Sequence, residues 1–206
     1  MIHLDILYSL EYEKERISYT LEKADWFVEK GYSKSITLPA SKKLNELETS
    51  TSKDYLFDLL EDEYVSDDYE KIKNNLAEQW SSFVLTLEKY FKETSLKPED
   101  TYVVCLTKYG VGGSYNVPNT VILNFQNRTG LALFRTVVHE IIHLSMQHYI
   151  ELYNVNHWIK ERIVDLTLEK IAPELNIMQK LPIDTKSIDL IFEKNYPNME
   201  EVIKNA

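Results

Sequence analysis

His139 and His143 stand four residues apart in the run His139-Glu140-Ile141-Ile142-His143. On a helix that spacing puts two imidazoles about 40 degrees apart around the axis and one turn apart along it, so both can grip one ion. Glu140 points to the edge of the same face, where it reaches a water beside the ion without ligating it. The chemistry of such a set is hydrolysis: the metal acidifies water and polarises a carbonyl, while the glutamate moves the proton. The plainer reading makes the histidines core residues bonded to their neighbours. Against it stands the surrounding run, because Leu131, Leu133, Phe134, Val137, Val138, Ile141, Ile142 and Leu144 make the helix apolar nearly all round. Polar groups inside a buried helix are costly unless partnered, and a zinc ion is a partner.

Zinc needs a third protein ligand and an open fourth position for catalysis. Glu161 and Asp165, four apart in Glu161-Arg162-Ile163-Val164-Asp165, share one face of a following helix. Glu161 completes the site in this reading, and Asp165 accepts a hydrogen bond from a ligating imidazole and so fixes its orientation. For either acid alone a solvated helix surface is the default. Asp165 as the third ligand is the alternative assignment. His148 lies half a turn round the helix from His139 and faces away from the metal. The expected cofactor is one Zn2+ per chain.

His139-Glu140-x-x-His143, followed after 17 intervening residues by Glu161-x-x-x-Asp165, resembles the gluzincin clan of thermolysin-like metallopeptidases, and its smallest members in particular. The resemblance covers roughly residues 101–172. It implies a zincin-like α+β fold, zinc on His139, His143 and Glu161, Glu140 as general base and Asp165 as outer support. A metzincin would need glycine and a third histidine where Met146 and Tyr149 stand. The clan takes further oxyanion donors from a tyrosine between the two helices and a histidine well downstream, whereas no histidine follows His157 here. Tyr153 and His157 are the candidates for that role, with packing or capping as their ordinary alternative. The clan's substrate backbone pairs with an edge strand ahead of the active-site helix, a place occupied by the run from Thr120 to Phe125; a plain core strand is the competing reading.

The elements that must position these residues follow from periodicity. From 129 the active-site helix is expected, and from Asn156 to Ile171 the glutamate helix, stopped by Pro173. The tail after Leu175 is expected to add one short helix. Before the site, Thr101 to Thr107 and Thr120 to Phe125 read as a hairpin or two neighbouring strands, with Gly110, Gly112 and Gly113 as turn residues. Residues 1–100 read as a helical N-terminal region and 101–206 as the catalytic region, within one compact unit. In the first region, Ile17, Leu21, Ala24 and Val28 mark a helix over 11–30 that ends at Gly31. Ser66 is expected to cap a long helix whose face runs from Tyr69 through Ile72, Leu76, Trp80, Phe83, Val84, Leu87, Tyr90 and Phe91. Residues 41–53 read as a polar surface connection.

Composition sets the class of partner. Hydrophobic residues make up 44% of the 206 and charged residues 27%, an ordinary globular balance. A net charge of -10 argues against a nucleic-acid partner. Cys105, the single cysteine, allows no intrachain disulfide and reads as a small buried hydrophobe. The acidic side chains among the first residues do not form a secretory leader, and no window is apolar enough for a membrane span, so a cytoplasmic protein is expected. The functional expectation is a zinc peptidase acting on a peptide or protein. Its alternative is an inactive zinc-binding interaction protein that meets a partner through the N-terminal helices.

Overall fold

The computed structural model describes all residues except 30, 32, 33, 48–50, 127 and 176. Among the described residues the fold is α+β, with eight α-helices and one four-stranded mixed sheet. The strands are β1 (His3–Leu7), β2 (Thr101–Thr107), β3 (Gly113–Asn116) and β4 (Thr120–Asn124). Their order across the sheet is β1-β2-β4-β3, parallel except for β3, which runs antiparallel to β4. The two strands expected around the glycines are therefore neighbours, but parallel ones. The hairpin is β3–β4.

Alternation decides which face of the sheet is covered. Tyr102, Val104 and Leu106 of β2, in register with Val121 and Leu123 of β4, are buried in the main core. Two long helices pack into that core: α4 (Ser66–Thr94) and α5 (Leu131–Leu152). Phe83 of α4 meets Phe134 of α5 edge to face at 5.4 Å, the favoured geometry for an aromatic pair. Cys105, on the opposite face of β2, is only half-buried, which corrects its reading as a core hydrophobe.

The helices α1 (Leu10–Glu22), α2 (Ala24–Glu29) and α3 (Lys53–Glu63) build a second, smaller core around Ile17, Phe27, Ile36, Leu38, Leu56 and Tyr109. The single helix expected over 11–30 breaks at Lys23, and the break shifts the helical phase. As a result Phe27 is buried while Val28 is 57% exposed. Lys30, at the expected end of that helix, lies outside the described residues, as do 48–50 of the expected connection. The described part of the connection is less plain than its composition implied, since Leu44 is buried and Lys43 bridges Thr37.

The helix α4 starts one residue away from the expected cap: Val65 is the N-cap, Ser66 the first helical residue, and no side chain caps the end. Its apolar face is the expected one, with Ile72 only partly buried. After α5 come α6 (His157–Ile171), α7 (Lys186–Asn195) and α8 (Met199–Asn205), so the tail adds two helices rather than one. No helix among the described residues is long and apolar enough to cross a membrane.

Candidate metal centre

The helix α5 carries His139, Glu140 and His143, all under 9% exposed. The chain then reverses through Asn154, which takes the left-handed conformation (φ 50) that asparagine tolerates better than most residues. The Asn156 side chain accepts from the Trp158 N–H to cap α6. This turn brings Glu161 back over the histidines.

The result is a tight donor set. His139 Nε2 and His143 Nε2 lie 3.0 Å apart. Glu161 Oε2 is 3.3 Å from His139 Nε2, and Oε1 is 3.3 Å from His143 Nε2. Four ligands placed about 2.1 Å from a zinc ion at tetrahedral corners are roughly 3.4 Å apart. With one donor atom from each residue within 4.8 Å of the others, the residues present could hold zinc. Burial pushes the His143 pKa down to about 4, leaving a neutral imidazole with a lone pair to donate at neutral pH. Burial alone would raise the Glu161 carboxyl, but its contacts with His139 and His143 outweigh burial and hold it well below the carboxylate range. The two Nδ1 atoms of these histidines are buried and have no hydrogen-bond partner.

Asp165 is fully buried but does not touch either imidazole, so the hydrogen bond expected of it is absent. It accepts instead from the Gln179 backbone N–H at 2.8 Å and from Arg135 Nη2 at 3.4 Å. The Gln179 side-chain amide donates both to Asp165 Oδ1 at 3.3 Å and to Glu161 Oε2 at 3.2 Å. Asp165 thus steadies Glu161 through Gln179. The spacing signal found the acid; nothing in the sequence marks Gln179, which enters from the segment after α6.

Glu140 lies against the strand β3. A Cβ placed on Gly113 would sit 2.6 Å from Glu140 Oε1 and 2.5 Å from Thr136 Cγ2, so only glycine lets the strand approach the helix this closely. Desolvation pushes the Glu140 pKa up to about 7, near the value suited to a proton shuttle at neutral pH; Glu161 adds to the rise and His139 opposes it. Two residues along, the Tyr115 ring stacks on His143 at 5.3 Å, and its hydroxyl donates to Gln147 and accepts from Lys160 Nζ at 3.1 Å.

Of the two donor candidates, Tyr153 ends α5 and donates its hydroxyl to Glu200, outside the cavity that holds the histidines. His157 lines that cavity, with Nδ1 3.8 Å from Glu161 Oε1. Lys160 lines it too and was not singled out in the sequence, because a lone lysine on a helix is ordinary. His148 is exposed and turned away, packed beside Tyr149. The cavity measures about 730 Å³ and its far wall comes from the small N-terminal core, through Arg16, Tyr19, Trp26 and Phe27.

No family model, curated protein or solved structure matches the chain. The fold and the buried His139, His143 and Glu161 group stand on the chain's own residues.

Proposed function

We propose that the protein is a zinc-dependent peptidase, with His139, His143 and Glu161 as metal ligands and Glu140 as the base. The convergence of those three donors, each with a ligand atom within 4.8 Å of the others, carries the reading. Zinc bound there would polarise a peptide carbonyl and acidify an attacking water. Glu140 takes that water's proton and returns it to the leaving amine, a role supported by its raised pKa and its place one residue after His139.

Substrate binding falls to β3, and not to the run from Thr120 to Phe125. β4 is enclosed between β2 and β3, so its backbone groups are already engaged, whereas β3 pairs on one side only. An extended peptide adds to that edge by β-augmentation, with Gly113 at the closest approach to Glu140. Lys160 keeps donor capacity beyond its bond to Tyr115 and faces the cavity, as does His157; these two supply donors to the developing oxyanion.

A fluorescently labelled unfolded protein is the test substrate for zinc-loaded protein. Wild type should cleave it, and Glu140→Gln should keep its zinc while losing about 10²- to 10⁴-fold in rate. Equal rates would remove Glu140 from the role of base. Zinc-loaded wild type that cleaves nothing would instead leave a zinc-binding interaction protein.

A further inference from the structure

We propose that Arg16 recognises a carboxylate of the peptide in the cleft, an acidic side chain or a free C-terminus, within about three residues of the scissile bond. This rests on the peptidase reading above and adds the substrate class.

Arg16, on α1, is only 7% exposed, yet its Nε and Nη2 are buried without a hydrogen-bond partner. A guanidinium is always charged, and a buried charge without a partner is strongly unfavourable, so such a group is a standing demand for an anion. Its neighbours offer only weak attraction: the Tyr19 ring lies 5.6 Å from Cζ, and Glu13 draws the guanidinium without bonding it. Glu13, one turn earlier, is already occupied by Tyr69, Thr107 and the Lys108 N–H.

The guanidinium lines the same 730 Å³ cavity as His139, Glu140 and His143. It also borders a second cavity of about 330 Å³ that shares Tyr19, Ser114 and Tyr115 with the first, so Arg16 sits where the two meet along β3. In a chain of net charge -10 the larger cavity is lined by Arg16, Lys43, Arg128 and Lys160 against two acids, Glu140 and Glu161. Those two acids are committed to the base and ligand roles. The cleft therefore presents positive charge to a substrate.

The loop leading into β3 sets the distance. A Cβ on Gly110 would sit 2.5 Å from Arg16 Nε, just as one on Gly113 would meet Glu140. Three residues span at most about 11 Å, so a peptide lying along this segment places a residue beside Arg16 within about three of the bond beside Glu140. A planar fork with a paired carboxylate is the geometry that arginine serves best.

Fluorescence polarisation on zinc-loaded Glu140→Gln protein tests this, because binding is read without turnover. Three peptides of one frame are compared: a neutral amidated peptide, its partner with Asp or Glu within three residues of the centre, and the neutral peptide as a free acid. At least one carboxylate peptide should bind about 10- to 100-fold tighter than the neutral amide, and which one does so identifies the source. Adding Arg16→Met should bring that ratio to about 1, and adding Arg16→Lys should retain part of it. If Arg16→Met does not fold, Arg16→Lys carries the comparison, with the ratio expected to fall though not to 1. Equal affinities, no binding by any peptide, or a preference unchanged in Arg16→Met or in Arg16→Lys would overturn the assignment. Turnover by wild type is a separate readout: cleavage with no carboxylate preference sinks the Arg16 inference alone, and preference without cleavage sinks the peptidase.

Discussion

Two buried polar clusters in this molecule are built on opposite principles. Around Glu13, fully buried in α1, the carboxylate is saturated: the Tyr69 and Thr107 hydroxyls and the Lys108 N–H at 2.7 Å all point at it. Around His139 and His143 the nitrogens crowd each other at 3.0 Å, and both Nδ1 atoms are left without partners. A cluster that closes on itself ties elements together, here α1 to α4 and β2. One whose Nε2 lone pairs and carboxylate converge on a point could hold an ion there, and that difference is what variants of the two clusters test.

The comparison is broken most forcefully by deleting one member of each cluster. His143→Ala should lower zinc affinity by at least about 100-fold, since two protein ligands hold zinc poorly, while shifting the metal-free unfolding free energy by less than about 1 kcal/mol. Glu13→Ala should do the reverse. It strands three buried donors and should cost about 2–4 kcal/mol in chemical denaturation, with zinc affinity in the folded protein unchanged. Zinc loss from Glu13→Ala, or collapse of the metal-free fold in His143→Ala, would erase the distinction.

Acidity sharpens it. The Glu140 carboxyl is raised from 4.5 to about 7 by burial, so the folded state favours its protonated form. That contribution to stability is fully present below about pH 4.5, is lost as pH rises towards 7, and stays lost above it. Glu140→Gln has no such proton. Metal-free Glu140→Gln and wild type should therefore agree below about pH 4, and the variant should be more stable by about 1–3 kcal/mol at pH 8. Parallel stability curves across that range would show that Glu140 is not desolvated in the folded chain.

The smallest expected effects lie in the support of Glu161. Asp165→Ala and Gln179→Ala should each weaken zinc binding by about 10- to 100-fold in a competitive chelator titration, less than Glu161→Ala, which removes a donor outright. Should Asp165→Ala lose more zinc than Glu161→Ala, the aspartate would be the ligand.

The histidine pair and the Glu161 face were legible because helical spacing alone fixes which side chains share a face. The span of α6 was equally plain, with Asn156 and Pro173 punctuating it. β1 was not, because its partner is β2, some hundred residues away, and a five-residue strand carries little local signal. Gly113-Ser114-Tyr115-Asn116 lacks the β-branched run that marks a strand, yet it forms the edge beside Glu140; the stronger-looking run from Thr120 to Phe125 reads equally as edge or core strand, and β4 lies inside the sheet. In α1 a signal was present and passed over. Glu13, Arg16 and Thr20 fall on the buried face with Ile17, and polar residues in the apolar phase of a helix mark either a closed network or an unfilled site. Glu13 is the first and Arg16 the second. The Asp165 contact failed for a different reason: spacing shows which way a side chain faces, but not that Arg135 and Gln179 reach it before an imidazole does.

Zinc content of the purified wild-type chain after dialysis against a zinc buffer tests the central claim most directly, with a His139→Ala, His143→Ala double variant alongside. About one zinc per wild-type chain and none in the variant is the expected result. Equal zinc in the two proteins, or none in either, would return the histidines to the core and remove the metal centre from this fold.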